Sequence, residues 1–172
     1  MKAFNWYYSF GMLICILLAN INMAEGAECR KTTSVQDSIK SFDANSAAGG
    51  HVWIHVYGIR RPPSASDTQV EDKSMFRSEA EFRTAWNRWV ADGNPNPTPK
   101  KCGTAGNLKD CVSATKLGIT KAYKCTKVEN YLCTAYKEFD PVKVAFNYYN
   151  SASTKNKWIM NTAYPSENMN CS

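Results

Sequence analysis

The chain has 172 residues, with 21 lysines and arginines against 15 aspartates and glutamates, and a formal net charge of +6 at pH 7. This length supports one domain with a hydrophobic core and excludes two domains of ordinary size. A moderately basic balance is typical of proteins that bind an anionic partner, such as nucleic acid, a membrane surface or a polyanionic glycan. A solvated charged surface gives the same count, so charge alone leaves the partner open.

The N-terminus has the features of a secretory signal peptide. An apolar run from Phe10 to Ala19 follows a basic residue, and Ala24 and Gly26 place small side chains at the −3 and −1 positions of a cleavage site. The alternative is an uncleaved membrane anchor, but Asn20 and Asn22 interrupt the segment and its apolar core is short for a span. We therefore predict a signal peptide over 1–26 and one secreted domain over 27–172, with no stable membrane association after cleavage.

Seven cysteines are present, and Cys15 lies in the predicted signal peptide. The other six are an even number on an oxidising route, which predicts three disulfide bonds. These six are Cys29, Cys102, Cys111, Cys125, Cys133 and Cys171. The preferred pairing joins Cys29 to Cys171, tying the ends of the domain together, with local bridges among the other four. Zinc is the weaker alternative, because no Cys-x-x-Cys pair supplies adjacent ligands, and we predict no metal and no cofactor.

Helices and a strand are predicted in the first half of the mature chain. Apolar residues at helical spacing predict a short helix over Ser34–Phe42, and His51–Tyr57 is strand-like, with alternate residues sharing a face. An exposed loop follows to Asp72. Ser78 and Glu81 form a capping box at the start of a helix that runs to Ala91. Its core-facing stripe is Phe82, Ala85, Trp86, Trp89 and Val90.

The second half is predicted to be antiparallel strands. Gly118–Cys125 and Asn130–Tyr136 are β-like, and a final hairpin pairs Val142–Tyr148 with Trp158–Tyr164, both with a period of two. In the last strand Thr162 and Tyr164 share one face, and Pro165 is expected to end the ladder. The order of helix, strand, helix and several strands predicts an α+β domain.

The chain has two histidines, His51 and His55, and their spacing places both on one side of the segment. A metal site is one reading of this pair, but the glutamate of His-Glu-x-x-His is missing and a third ligand is not identified. A histidine hydrogen-bonded within the sheet, or exposed, is the structural alternative.

Several short motifs in order resemble the bacterial RNase A-like toxin domain, the C-terminal ribonuclease of contact-dependent inhibition proteins. They are Gly49-Gly50-His51, His55-Val56, Ser74-Met75-Phe76, the tryptophan-bearing helix and Thr162-Ala163-Tyr164-Pro165, and they span about residues 49 to 165. The resemblance implies an RNase A-like α+β fold, with N-terminal helices packed on a curved antiparallel sheet, and metal-independent cleavage of RNA.

The resemblance also implies an active site. His55 matches the family histidine, Thr162 and Tyr164 match its threonine and tyrosine, and His51 is a second, weaker catalytic candidate. The position of the family arginine falls at Ser66, so Arg60 or Arg61 is the nearest cation in sequence. These residue types suit cleavage by the 2′-hydroxyl of RNA, because histidine titrates near neutrality while hydroxyls and arginine donate to phosphate oxygens.

The expected function is a secreted ribonuclease that acts as a toxin or defence protein. Its expected partners are an RNA substrate and a cognate inhibitor or immunity protein, and the expected state is a monomer. The alternative is a catalytically inactive module of the same fold that binds RNA, glycan or protein. A disulfide-rich inhibitor unrelated to nucleases has only the cysteines in its favour.

Overall fold

A computed structural model describes residues 33–95, 106–150, 154 and 157–172. The predicted signal peptide, Cys29 and Cys102 lie outside the described residues. The α-helices are α1 (Thr33–Asp37), α2 (Phe42–Ala47), α3 (Glu79–Ala91) and α4 (Ala114–Leu117), with a 3₁₀ helix at Val52–His55. The strands are β1 (Ser74–Met75), β2 (Gly106–Ser113), β3 (Ala122–Glu129), β4 (Leu132–Phe139), β5 (Lys143–Asn150) and β6 (Ile159–Ser166).

The strands form two antiparallel sheets of three, in the orders β1-β3-β4 and β2-β5-β6. The α+β class is therefore confirmed, whereas the strands divide between two sheets instead of forming one curved sheet. The division arises because the β3-β4 hairpin pairs with β1, while β5 pairs with β2 on one side and β6 on the other. The strands β1 and β2 are additions to the predicted set.

Helix α3 confirms the predicted N-cap at Ser78 and the predicted buried face, while the Glu81 side chain bonds one residue before the cap. The Ser78 hydroxyl accepts from the Glu81 backbone N–H at 3.2 Å, and the Glu81 carboxylate accepts from the backbone N–H of Arg77 at 2.7 Å. The side chain of Trp89 is fully buried and its ring stacks on Phe146 of β5 at 4.5 Å between centroids. Because aromatic side chains bury the most apolar area, this contact anchors α3 on the β2-β5-β6 sheet.

The predicted helix over Ser34–Phe42 is instead two short helices separated by a break. The Ser38 hydroxyl donates to the Val35 carbonyl at 2.7 Å and accepts from the Met160 backbone N–H at 2.9 Å. Ser41 then caps α2 by accepting from the Ala44 backbone N–H at 3.0 Å. Serine side chains that bond to nearby backbone compete with helix continuation, which accounts for the break.

The prediction of a strand over His51–Tyr57 is wrong. This segment contains the 3₁₀ helix, and its one β-type pairing is an isolated bridge between Val56 and Phe76. The side chain of Asn45 determines the path of the chain here. Its Oδ1 accepts from the Val52 backbone N–H at 3.0 Å and its Nδ2 donates to the Met160 carbonyl at 2.7 Å. A Cβ atom at Gly50 would collide with the Asn45 side chain and the Met160 carbonyl, so glycine permits this close approach to β6.

The final hairpin is confirmed, but Pro165 does not end its ladder. Pro165 pairs with Val144, and the pairing continues to Ser166 opposite Lys143. Strand β6 lies at the edge of its sheet, so the missing N–H of Pro165 leaves no carbonyl of a neighbouring strand without a hydrogen-bond donor.

Two disulfides lie within the described residues, Cys111–Cys171 and Cys125–Cys133. The preferred pairing of Cys29 with Cys171 is wrong, because the C-terminal segment turns back onto β2 and places Cys171 beside Cys111. The pairing of Cys125 with Cys133 agrees with the predicted local bridges. Disulfides indicate an oxidising environment. Among the residues described, no helix has the length and apolar character needed to cross a membrane.

Candidate active site

The candidate site lies on one face of the β2-β5-β6 sheet. Lys109, Asn147 and Thr162 form one row across the three strands, and Cys111, Ala145 and Tyr164 form the next row on the same face. The residues between these rows point to the opposite face, where Asp110 accepts from the Trp89 indole N–H at 3.2 Å. Helix α3 therefore covers one face, and the candidate site occupies the other.

His55 is placed against this face by the end of the 3₁₀ helix. Its ring lies 5.2 Å from the ring of Tyr164 between centroids, and its Nδ1 is 2.7 Å from the Ser74 carbonyl oxygen. A carbonyl oxygen only accepts hydrogen bonds, so Nδ1 carries the proton and Nε2 carries the lone pair. The backbone of His55 is held as well, because its carbonyl accepts from the Phe76 N–H at 2.8 Å. The imidazole is thus fixed in orientation and in tautomer.

The environment favours the neutral imidazole. Burial lowers the pKa of His55 to about 4, and the positive charges of His51 and Lys73 add to the lowering, while the hydrogen bond to the Ser74 carbonyl opposes it. Desolvation disfavours the charged form of a histidine, and only 7% of this residue is exposed. At neutral pH Nε2 is therefore available to accept a proton.

Thr162 and Tyr164 both belong to this face, but their hydroxyls differ in their partners. The Tyr164 hydroxyl donates to the Cys171 carbonyl at 2.9 Å. The Thr162 hydroxyl is buried and has no hydrogen-bond partner among the described residues. A buried hydroxyl without a partner costs free energy, and a role in binding or catalysis is one explanation for retaining it.

Of the other predicted site residues that the structure describes, His51 is hydrogen-bonded to β6, whereas Arg60 and Arg61 are not. The backbone N–H of His51 donates to the Asn161 carbonyl at 2.7 Å, and its imidazole Nδ1 is 3.6 Å from an Asp67 carboxylate oxygen. Arg61 donates to the Ala65 carbonyl at 3.1 Å and lies over the Tyr131 ring. Arg60 is exposed. Within the described part of the chain, neither arginine has a hydrogen bond, an ion pair or a ring contact with His55, Thr162 or Tyr164.

Lys109 also lies on this face and is not among the site residues predicted from the sequence. Its ammonium donates to the Cys171 carbonyl at 3.1 Å, which is the same oxygen that accepts from Tyr164. The only signal in the sequence is its spacing of two from Cys111, which places both on one face of a strand. That signal becomes useful only when the pairing of β2 with β5 and β6 is known.

The described residues contain no cluster of three or more histidine, cysteine, aspartate or glutamate side chains arranged to hold a metal ion. Comparisons of the chain with protein-family models, curated proteins and solved structures return no match.

Proposed function

We propose that the protein is a secreted, metal-independent ribonuclease of the RNase A-like type, acting as a toxin or defence protein, with His55 as its base. The observation that carries the proposal is the His55 imidazole, which is fixed by Ser74 and packed on Tyr164 beside Thr162. The net charge of +6 suits a polyanionic substrate, and the disulfides suit an extracellular location.

In the proposed reaction, Nε2 of His55 takes the proton of a ribose 2′-hydroxyl. The 2′-oxygen then forms a bond to phosphorus while the bond from phosphorus to the 5′-oxygen breaks, leaving a 2′,3′-cyclic phosphate. The departing 5′-oxygen takes a proton, for which His51 is the candidate donor. The Thr162 hydroxyl has no partner among the described residues and, once RNA binding uncovers it, can donate to a phosphate oxygen without adding charge, while Tyr164 packs against the imidazole.

Cleavage of RNA in the presence of EDTA is the direct test. We expect the oxidised protein to cut single-stranded RNA and to leave 2′,3′-cyclic phosphate ends, detectable by mass spectrometry of the fragments. A matched oligonucleotide with one 2′-deoxyribose on the 5′ side of the cut should resist cleavage at that bond. Cleavage that is equal in both oligonucleotides would contradict the proposed mechanism.

The second candidate is a catalytically inactive binding module of the same fold. It is favoured by the occupied Tyr164 hydroxyl, whose single proton is donated to Cys171, and by the deep burial of His55. This candidate predicts tight RNA binding with no cyclic phosphate product in the same assay.

A Thr162→Val substitution should separate activity from stability. Valine has nearly the same shape, and removing a buried hydroxyl that lacks a partner should raise the free energy of unfolding by about 1 kcal/mol. If the hydroxyl donates to phosphate, the rate of RNA cleavage should fall at the same time by about tenfold. Urea unfolding and initial rates measure the two effects, and a loss of stability would contradict the account of this hydroxyl.

A further inference from the structure

We propose that Lys109 is the cation that binds the scissile phosphate, in place of either Arg60 or Arg61. This assignment rests on the proposed ribonuclease function, and it supplies the positive charge that the proposed mechanism needs at the phosphate. It follows from the register of the β2-β5-β6 sheet, from two hydrogen bonds to one carbonyl oxygen, and from the exposure of the lysine.

The register places Lys109 on the face that carries the other candidate residues. Lys109 stands opposite Asn147, which stands opposite Thr162, so one row across three strands joins the lysine to the threonine. The next row carries Tyr164, whose ring contacts His55. The ammonium therefore lies at the hydroxyl end of the tyrosine ring, and the imidazole lies against its face.

The Cys171 carbonyl oxygen occupies a position where Lys109 and Tyr164 both donate hydrogen bonds. The ammonium of Lys109 and the hydroxyl of Tyr164 converge on this oxygen from 3.1 Å and 2.9 Å. An oxygen with negative charge, such as a phosphate oxygen, would bind the same donors more strongly than a carbonyl does. The carbonyl thus marks a place suited to an anionic oxygen at the hydroxyl end of Tyr164, the residue whose ring contacts His55.

Lys109 has donors left for a ligand. An ammonium has three N–H groups, and within the described residues one of them donates to Cys171 while the other two have no acceptor. The residue is exposed, so RNA reaches it without rearrangement of the core. Arg61, by contrast, is committed to the Ala65 carbonyl and the Tyr131 ring. The bond to Cys171 orients the ammonium before the substrate arrives, which lowers the cost of binding.

The test compares wild type with Lys109→Gln, Lys109→Arg, Lys73→Gln and Lys116→Gln. Lys116 is an exposed lysine paired with Asp92 at the end of α3, so its variant removes the same charge beside the helix that covers the opposite face of the sheet. We measure kcat and KM on RNA, and the Kd for an uncleavable 2′-deoxy oligonucleotide by fluorescence anisotropy. We expect Lys109→Gln to lower kcat about 100-fold and to weaken oligonucleotide binding about tenfold. We expect Lys109→Arg, which keeps the positive charge, to retain most of the wild-type kcat and affinity.

Two results would overturn the assignment. One is equal behaviour of Lys109→Gln and Lys116→Gln in both measurements. The other is a loss produced by Lys73→Gln, whose charge also acts on His55, with Lys109→Gln remaining like wild type. If wild type itself does not cleave RNA, the ribonuclease proposal fails, and the oligonucleotide Kd still decides whether Lys109 binds phosphate.

Discussion

A Cys111→Ser, Cys171→Ser double variant is expected to lose about 4 kcal/mol of its free energy of unfolding. The bridge joins residues 60 apart in sequence and so restricts a large part of the unfolded chain. It also fixes the C-terminal segment, in which the Cys171 carbonyl accepts from both Lys109 and Tyr164. Removing it should therefore lower stability and disturb the candidate site together.

The second disulfide provides the matched control. Cys125 and Cys133 are only 8 residues apart, so a Cys125→Ser, Cys133→Ser variant should lose about 2.5 kcal/mol in the same chain-entropy treatment. Urea unfolding without reductant measures both losses. An equal or reversed order would show that the long bridge does not act mainly on the unfolded chain.

As the pH drops from about 7 to about 3.5, the protonation of His55 is expected to lower the free energy of unfolding by about 3 kcal/mol. The pKa of His55 is about 4 in the folded protein, whereas an unfolded histidine titrates near its ordinary value of about 6.5. Between these values the unfolded chain binds more protons than the folded one, so acid favours unfolding. Above about pH 7 both states are neutral and the contribution is constant.

A His55→Asn variant isolates this contribution. The asparagine amide can still donate to the Ser74 carbonyl, but it does not titrate. The difference in unfolding free energy between variant and wild type should change by about 3 kcal/mol across the range, in the direction that favours the variant at low pH. A difference that stays the same at every pH would mean that burial does not lower the pKa of His55.

Local signals in the sequence predicted the elements whose stability is local. Helix α3 follows from Ser78, Glu81 and a stripe of apolar residues, and the structure confirms each part. The final hairpin follows from its period of two. The α+β class follows from the order of these elements. In the helix and the hairpin, the residues that determine the structure lie within one element or in two consecutive strands.

Contacts between distant segments account for what the sequence did not predict. The segment from His51 to Tyr57 has strand-like composition, but it contains a 3₁₀ helix that is held by the Asn45 side chain, which accepts from the Val52 N–H and donates to the Met160 carbonyl. The partner of Cys171 depends on where the C-terminal segment turns. Asn130 and Tyr131 form the two-residue β3-β4 turn with positive φ at both positions, and tyrosine gives no signal for it.

The candidate site shows the same division. The order of the motifs pointed to His55, Thr162 and Tyr164, and the structure brings these residues to one face of a sheet. The nearest cations to His55 in sequence are Arg60 and Arg61, whereas the cation that we propose, Lys109, lies near Tyr164 only through strand pairing. A residue that joins a site across three strands leaves no pattern in the sequence around it.

The most direct test of the ribonuclease proposal is the rate of RNA cleavage at pH 7 in EDTA by wild type and His55→Asn. The variant keeps the donor to Ser74 and loses the basic Nε2. We predict that wild type releases 2′,3′-cyclic phosphate ends and that the variant is slower by at least about 100-fold, with RNA binding unchanged. Equal rates in the two proteins, or no cyclic phosphate from wild type, would contradict the proposal.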